Sequence, residues 1–343
     1  MSPVHFLLFQ LSFSPGTVPA ALSSTPADAA RTAIAYHTVR PPVIDGRDDD
    51  PVWRTAMAIT GFREFTPVED EDPRFPTEAR VAYDAHNLYV FVRAYDSSPD
   101  SILTLLARRD VRTASDQIKI IVDSYHDRRS GYEFAVNPAG VKRDYAVYND
   151  GDEDDAWDAV WEAATTVDSL GWTAEFRIPL SQMRFSRAET NTFGFGVWRD
   201  IQRTSERVSW PLYRPSKTGF SSQLGELTGL VGLATPRRIE LVPYAVAKSL
   251  ERPSDANGFD RTQRLSAGAD LKYGLGSNMT LSATVNPDFG QVEADPAVLN
   301  LGAFETFFQE RRPFFVEGSG IFDFSVNCNV VNCQGPPLIA LPT

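Results

Sequence analysis

Nine consecutive positions, Asp150 to Asp158, hold six carboxylates, and two tryptophans, Trp157 and Trp161, stand within and just after them. Calcium takes roughly six to eight oxygen ligands and favours carboxylates. Asp150, Asp152, Asp154, Asp155 and Asp158 therefore form a candidate calcium loop. The run lacks the spacing of an EF-hand, and a solvated acidic loop with Trp161 in a core is the plain alternative. Trp157 and Trp161, with Tyr148 just upstream, offer flat aromatic faces beside that loop as a candidate stacking surface.

Residues that would do covalent chemistry are not gathered in the same way. There is no Gly-x-Ser-x-Gly elbow, no His-Glu-x-x-His and no Walker loop. His5, His37, His86 and His126 stand singly. Carboxylate pairs are plentiful, and a glycosidase needs only two at about 5–9 Å, but abundance without a locating motif identifies no pair. Cys328 and Cys333 could close one small loop; they form neither a zinc constellation nor a disulfide framework. Glu310-Arg311-Arg312 and Glu317 read as a charge network packing a plug or loop.

The elements that position these groups are strands. Ala79–Tyr83, Leu88–Ala94, Gln117–Asp123, Tyr132–Val136, Asp144–Tyr148, Trp161–Val167, Trp172–Ile178 and Phe193–Trp198 are β-branched and aromatic runs divided by turn residues. That spacing predicts an all-β fold, an antiparallel β-sandwich. Helix is expected only as single turns: at Asp50-Pro51-Val52-Trp53, with Asp50 as N-cap and Pro51 first in the helix, and at Leu180–Met183. Trp53, Trp172, Trp198 and Trp210, on or beside strands, are read as core packing.

After Pro236 the pattern changes. Leu265–Tyr273 and Met279–Val285 alternate apolar and polar without a fault, with Ile239–Lys248 a less regular third candidate. Strands of this length with small polar residues on one face suit a membrane β-barrel: Leu265, Ala267, Ala269, Leu271 and Tyr273 toward lipid, Ser266, Gly268, Asp270 and Lys272 toward the lumen. No stretch reaches the ~18 apolar residues of a spanning helix. The apolar run Phe6–Phe13, followed by small residues including Ala27-Asp28-Ala29, has the outline of a signal peptide and predicts export. Thirty-three basic against 45 acidic residues leave a net charge of −12, a field that repels phosphate backbones and argues against a nucleic-acid partner. The expected division is a leader over 1–37, a sandwich over 38–235 and barrel strands with a plug or loop over 236–343.

Two resemblances extend this reading. Pro42-Val43-Ile44-Asp45-Gly46 through Trp53, then Val81-Ala82-Tyr83-Asp84, Asn87–Val90, Asp116–Asp123 and Gly171–Pro179 resemble, in order, the opening and later strands of family-9 carbohydrate-binding modules. In those modules two tryptophans clamp a sugar ring while polar groups read its hydroxyls. The clamp positions correspond here to Thr113 and to Thr218–Phe220, and an arginine of the site corresponds to Ala135. Phe220 joins Trp157, Trp161 and Tyr148 as a candidate carbohydrate-binding residue. Asn286-Pro287-Asp288-Phe289-Gly290 through Asp295, Phe304–Phe308 and Glu310–Gly318 are similar to an uncharacterised bacterial outer-membrane family, in which a family-9-like module precedes a long barrel. About three spanning strands fit before Thr343, whereas the smallest barrels need about eight, so a truncated frame or fragment is expected. Together the resemblances imply a non-catalytic binder of oligo- or polysaccharide in the outer membrane or periplasm, serving polysaccharide capture or catabolism. A glycan-degrading hydrolase or its accessory subunit, and a structural cap on a transport barrel, are the alternatives.

Overall fold

The computed structural model describes residues 31–186, 188–234, 239–254, 258–274 and 279–286. Eighteen strands run through them: β1 Thr32–Ile34, β2 Tyr36–His37, β3 Ala58–Ile59, β4 Arg63–Thr66, β5 Thr77–Tyr83, β6 Asn87–Tyr95, β7 Gln117–Asp123, β8 Gly131–Val136, β9 Lys142–Tyr148, β10 Asp152–Asp154, β11 Glu162–Asp168, β12 Gly171–Pro179, β13 Thr190–Ile201, β14 Glu206–Trp210, β15 Gly225–Val231, β16 Ile239–Ser254, β17 Gly258–Gly274 and β18 Thr280–Val285. The first sheet runs β1-β15-β13-β7-β8-β9-β10, with β14 on β13 and β4 on β14; the second runs β11-β12-β6-β5-β2, with β3 on β5. We call them sheet A and sheet B.

Period-2 geometry explains the sandwich. Ile118, Ile120 and Val122 of β7, Phe134 and Val136 of β8, and Phe193, Phe195 and Val197 of β13 point from sheet A into one core. Val81 of β5, Leu88, Val90 and Val92 of β6, and Trp172, Ala174, Phe176 and Ile178 of β12 meet them from sheet B. The expectation of an antiparallel sandwich holds, with two short exceptions at the start of the chain. β1 pairs parallel with β15, and one residue later β2 pairs parallel with β5, so the N-terminal strand passes from the edge of sheet A to the edge of sheet B. This corrects the leader expected to extend through residue 37, because the sandwich begins at Thr32.

Helix is as sparse as expected. α1 spans Pro51–Thr55, with Val52 and Trp53 buried, and Leu180–Gln182 makes one 3-10 turn. Asp50 occupies the N-cap position without capping the helix through its side chain; its carboxylate accepts the Val43 N–H at 2.9 Å. The Ile44-Asp45-Gly46 turn is fixed from below. Gly46 has φ +79°, and a Cβ there would lie 3.0 Å from the Thr165 carbonyl carbon, so only glycine fits without strain.

β16, β17 and β18 form a third sheet with a continuous antiparallel register. Opposed residues bring apolar alternates together on one face: Leu241 against Leu271 and Ala245 against Ala267, with Ala283 of β18 also against Leu271. Ile239, Leu241, Leu265, Leu281 and Val285 on that face are open to solvent. The opposite face is polar on β17 and β18 but carries Val242, Tyr244 and Val246 on β16, and Thr284 Oγ1 donates to Asp270 at 2.5 Å. Residues of the second resemblance beyond Asn286, and both cysteines, lie outside the described residues.

Candidate functional site

The alternation that fills the core sends Lys119, Glu133, Arg143, Tyr145, Trp198 and Asp200 to the outer face of sheet A. Register gathers them: Trp198 lies opposite Lys119, Lys119 opposite Ala135, Ala135 opposite Arg143, and Glu133 opposite Tyr145. An outer sheet face is ordinarily wet, yet each of these six residues is buried. Phe65, Leu212, Tyr213, Phe220 and Leu224 pack with Trp198 and Ile121 over part of the face. Trp198 meets Phe65 at 4.8 Å between ring centroids, Tyr213 at 4.9 Å and Phe220 at 5.2 Å.

Beneath this aromatic rim the charges are paired but not satisfied. Tyr145 donates its hydroxyl to Glu133 at 2.5 Å, and Arg143 Nη2 donates to the other Glu133 oxygen at 3.3 Å. Lys119 Nζ is 2.8 Å from Asp200 Oδ2 and 5.9 Å from the centroid of the Trp198 ring. Burial pushes the Glu133 carboxyl above its ordinary range, against the pull of Lys119 and Arg143 and the Tyr145 hydrogen bond; burial and Glu133 push the Tyr145 hydroxyl up as well. Arg143 Nε and Nη1, Thr113 Oγ1 and Asp200 Oδ1 have no hydrogen-bond partner among the described residues. A buried polar group left unmade costs about 1–3 kcal/mol, and native proteins keep few of them. The Arg143 guanidinium lies over the Tyr145 ring, 4.9 Å from its centroid.

The residues expected from sequence fall differently. Trp157 and Trp161 belong to the core, which corrects their reading as a stacking surface. Trp161 lies parallel to Phe176 with centroids 5.8 Å apart, and its Nε1 donates to Asp144. Trp157 packs on Tyr132 at 4.7 Å and edge-on to Phe134. Trp172 and Trp210 share that core as expected. Trp53 and Trp198 are buried outside it, one on each outer face.

The acidic run does not converge. A third of it is strand β10, and alternation turns Glu153 to one face and Asp152 and Asp154 to the other. Asp158 pairs with Arg109 at 2.6 Å, Asp154 accepts the Ala156 N–H, Asp152 accepts from Asn149, and Asp155 is exposed. Among the described residues no three His, Cys, Asp or Glu side chains are placed to hold a metal ion. Asp150 is instead a clasp. Its oxygens accept the N–H groups of Phe220 and Ser222 at 3.0 and 2.7 Å and the Ser222 hydroxyl at 2.7 Å. Gly219, at φ +91°, has no room for a Cβ beside that carboxylate. Asp150 thereby holds Phe220, the one candidate aromatic that borders the outer-face cluster. Tyr148 sits half-buried across from Asp152.

Sequence reasoning passed over Lys119, Glu133, Arg143, Tyr145 and Asp200. Their signal was a charge in mid-strand, as in Ile118-Lys119-Ile120 and Tyr132-Glu133-Phe134.

Residues 44–210 match the family described as carbohydrate family 9 binding domain-like. Residues 235–325 match a domain of unknown function, DUF5916. No curated protein sequence matches the chain. Among solved structures, a family 9 carbohydrate-binding module from Caldicellulosiruptor kristjanssonii in complex with glucose is similar at 16% identity and TM-score 0.42, over 60% of this chain and 98% of that one. The same organism's family 9 module with cellotriose gives 17% and 0.42, over 60% and 95%. A Bacteroides uniformis protein gives 13% and 0.45, over 58% and 98%. Within the family-9-like region the position expected to carry an arginine is Ala135, and Arg143 stands directly across from it on the same face.

Proposed function

We propose that the sandwich binds an oligo- or polysaccharide without transforming it, through the outer face of sheet A. The observation that carries this reading is Arg143: a guanidinium more than nine-tenths buried, two of its nitrogens without a hydrogen bond, set beside the Glu133 carboxylate and over the Tyr145 ring. The match of residues 44–210 to a carbohydrate-binding family supports the same reading. A glycan array probed with the purified chain in mild detergent tests it. Binders should emerge, and Arg143→Met combined with Glu133→Gln should weaken the best of them by more than about tenfold, the loss of one or two charge-assisted hydrogen bonds. Retention of no glycan, or undiminished binding by the double variant, would end this reading.

The protein is exported and held at an outer membrane by β16, β17 and β18. In support, the apolar alternates of β17 and β18 share one face while their polar alternates share the other, the arrangement of a lipid-facing barrel wall. β16 and β17 also exceed the roughly 9–11 residues that cross a bilayer. Fractionation of cells expressing the chain should recover it with outer membranes; recovery from the soluble periplasm would remove the attachment.

A further inference from the structure

Between β6 and β7 the chain runs from Ile102 to Asp116 without helix or strand. The ends of this excursion meet: the Leu103 carbonyl accepts the Ser115 hydroxyl at 2.7 Å and the Asp116 N–H at 2.9 Å. Residues 104–115 are therefore an Ω-loop. Its outward limb reaches the part of β9 that β10 leaves unpaired. There the Asp110 N–H donates to the Lys142 carbonyl, and Asp110 Oδ1 accepts the Asp144 N–H. Because β8 separates β9 from β7, the return limb has to cross both strands to reach Asp116. It crosses on the outer face. Arg112 pairs with Glu153, and Glu153 stands opposite Val147, which shares its face with Tyr145 and Arg143. Thr113 follows with its Oγ1 buried. Residues 111–114 are thus a strap over the Arg143 side of the outer-face cluster.

We infer that this strap is a lid, and that Arg143 becomes reachable only when residues 111–114 lift. The inference rests on the outer-face reading above. With the strap down, Nε and Nη1 of Arg143 have almost no exposed surface, so nothing from outside has a path to them. The grip of the strap is slight. Val111, its one large apolar side chain, is 49% exposed, so apolar burial does little to hold it. Among the described residues Arg112 to Glu153 is the one side-chain bond that ties it to the sheet. Those side chains are 63% and 36% exposed, and an ion pair so placed contributes little. The ends are firmer. Arg109 reaches Asp144, Asp158 and the Ala159 carbonyl, while Ser115 and Asp116 are buried at the Leu103 carbonyl. The strap therefore lifts between two fixed points and leaves the core undisturbed. Segments with few buried apolar contacts open at the lowest free energy, which is how a short lid gates a site.

The test reads the opening directly and needs no ligand. Ala135 lies on the outer face between Lys119 and Arg143 and is 1% exposed, whereas Ala174 is wholly buried in the core. In the full chain carrying Cys328→Ser and Cys333→Ser, Ala135→Cys and Ala174→Cys are each labelled with N-ethylmaleimide under native conditions and followed by mass spectrometry. The thiol at 135 should react at least about tenfold faster, because local opening suffices there while the core must unfold. Arg112→Ala should raise the rate at 135 about threefold, the worth of one exposed ion pair, and leave the rate at 174 unchanged. Equal rates at the two positions, or a rate at 135 that Arg112→Ala does not move, overturns the lid. Acceleration by Asp150→Ala instead would put the entrance at the Phe220 rim and overturn it too. Hydrogen exchange of the chain without cysteine substitutions checks the same point. Arg112→Ala should hasten exchange across 111–116 and not across 171–179; unchanged exchange at 111–116 overturns the lid. A glycan array that retains nothing, with these rates as expected, would remove the outer-face reading and leave the lid standing.

Discussion

Each sheet of the sandwich hides a glutamate on its outer face, and the two are finished differently. On sheet B, Glu175 accepts the Trp53 indole N–H at 2.9 Å on one oxygen, and the Gly46 and Asp45 N–H groups at 2.9 and 3.0 Å on the other. On sheet A, Glu133 is engaged by Tyr145 and Arg143, but Arg143 is left with two open nitrogens. Both carboxylates are almost wholly buried. The closed network fastens the Ile44-Asp45-Gly46 turn and α1 to β12; the open one has capacity left for something outside the chain. Burial of charge alone does not mark a binding site. Unmet hydrogen-bonding capacity is what sets the face proposed to bind apart from the closed one.

Glu175→Ala should give the largest effect, since it strands three N–H groups at once. About 4 kcal/mol of stability should be lost, read by urea denaturation at pH 6. A loss below about 1 kcal/mol would mean that the turn is held by something other than Glu175.

The pH dependence should separate the two faces next. Burial pushes the Glu175 carboxyl up to about 7, against the three N–H donors. Its pKa is higher folded than unfolded, so its contribution is fully present below about pH 4.5 and is lost as pH rises through 7. That window is worth about 3 kcal/mol. The stability difference between wild type and Glu175→Gln should carry this slope between pH 4.5 and 7.5, and a difference that is flat in pH would contradict it.

Gly46→Ala should cost about 2 kcal/mol by forcing a side chain into a left-handed backbone against Thr165. Thermal melts would register it, and an unchanged midpoint would mean that the turn can shift. The smallest stability change is expected where binding changes most. Arg143→Met with Glu133→Gln should leave stability within about 1 kcal/mol of wild type, because a buried ion pair exchanged for neutral groups of similar size is often neutral. If that pair of substitutions instead unfolds the sandwich, the contrast between the two faces collapses.

Much of this was legible in the sequence. The apolar alternation of Gln117–Asp123 and Trp172–Ile178 set the core faces of β7 and β12, and Gly46 with Trp53 announced a fixed turn before a short helix. The faultless alternation of Leu265–Tyr273 specified the uniform face of β17. The binding cluster was not legible, because Lys119, Glu133 and Arg143 lie on three strands and meet only through register. The acidic run misled for a related reason: nearness in sequence placed Trp157 and Trp161 beside carboxylates, while Asp144, from β9, holds the Trp161 indole in the core. Trp198 was read as core, and its burial is real, but its packing lies on the other side of the sheet. Seeing that needed the segment around Tyr213 and Phe220, whose return over sheet A has no local signature.

The strand pairing of β1 has a kinetic meaning. Thr32–Ile34 hydrogen-bonds to Glu226–Thr228, and Arg31 reaches the Gln223 and Leu224 carbonyls, so the first strand of the sandwich waits for its last. Such a contact closes a loop of nearly the whole domain, and loop closure of that span is slow compared with the hairpins β5–β6, β7–β8 and β8–β9 that form between neighbours. The two sheets can assemble early, but the β1 edge of sheet A is not formed until β15 has emerged. A chain threaded N-terminus first through a translocation pore therefore keeps its opening strand unpaired while the rest follows, and locks only when the final strand arrives.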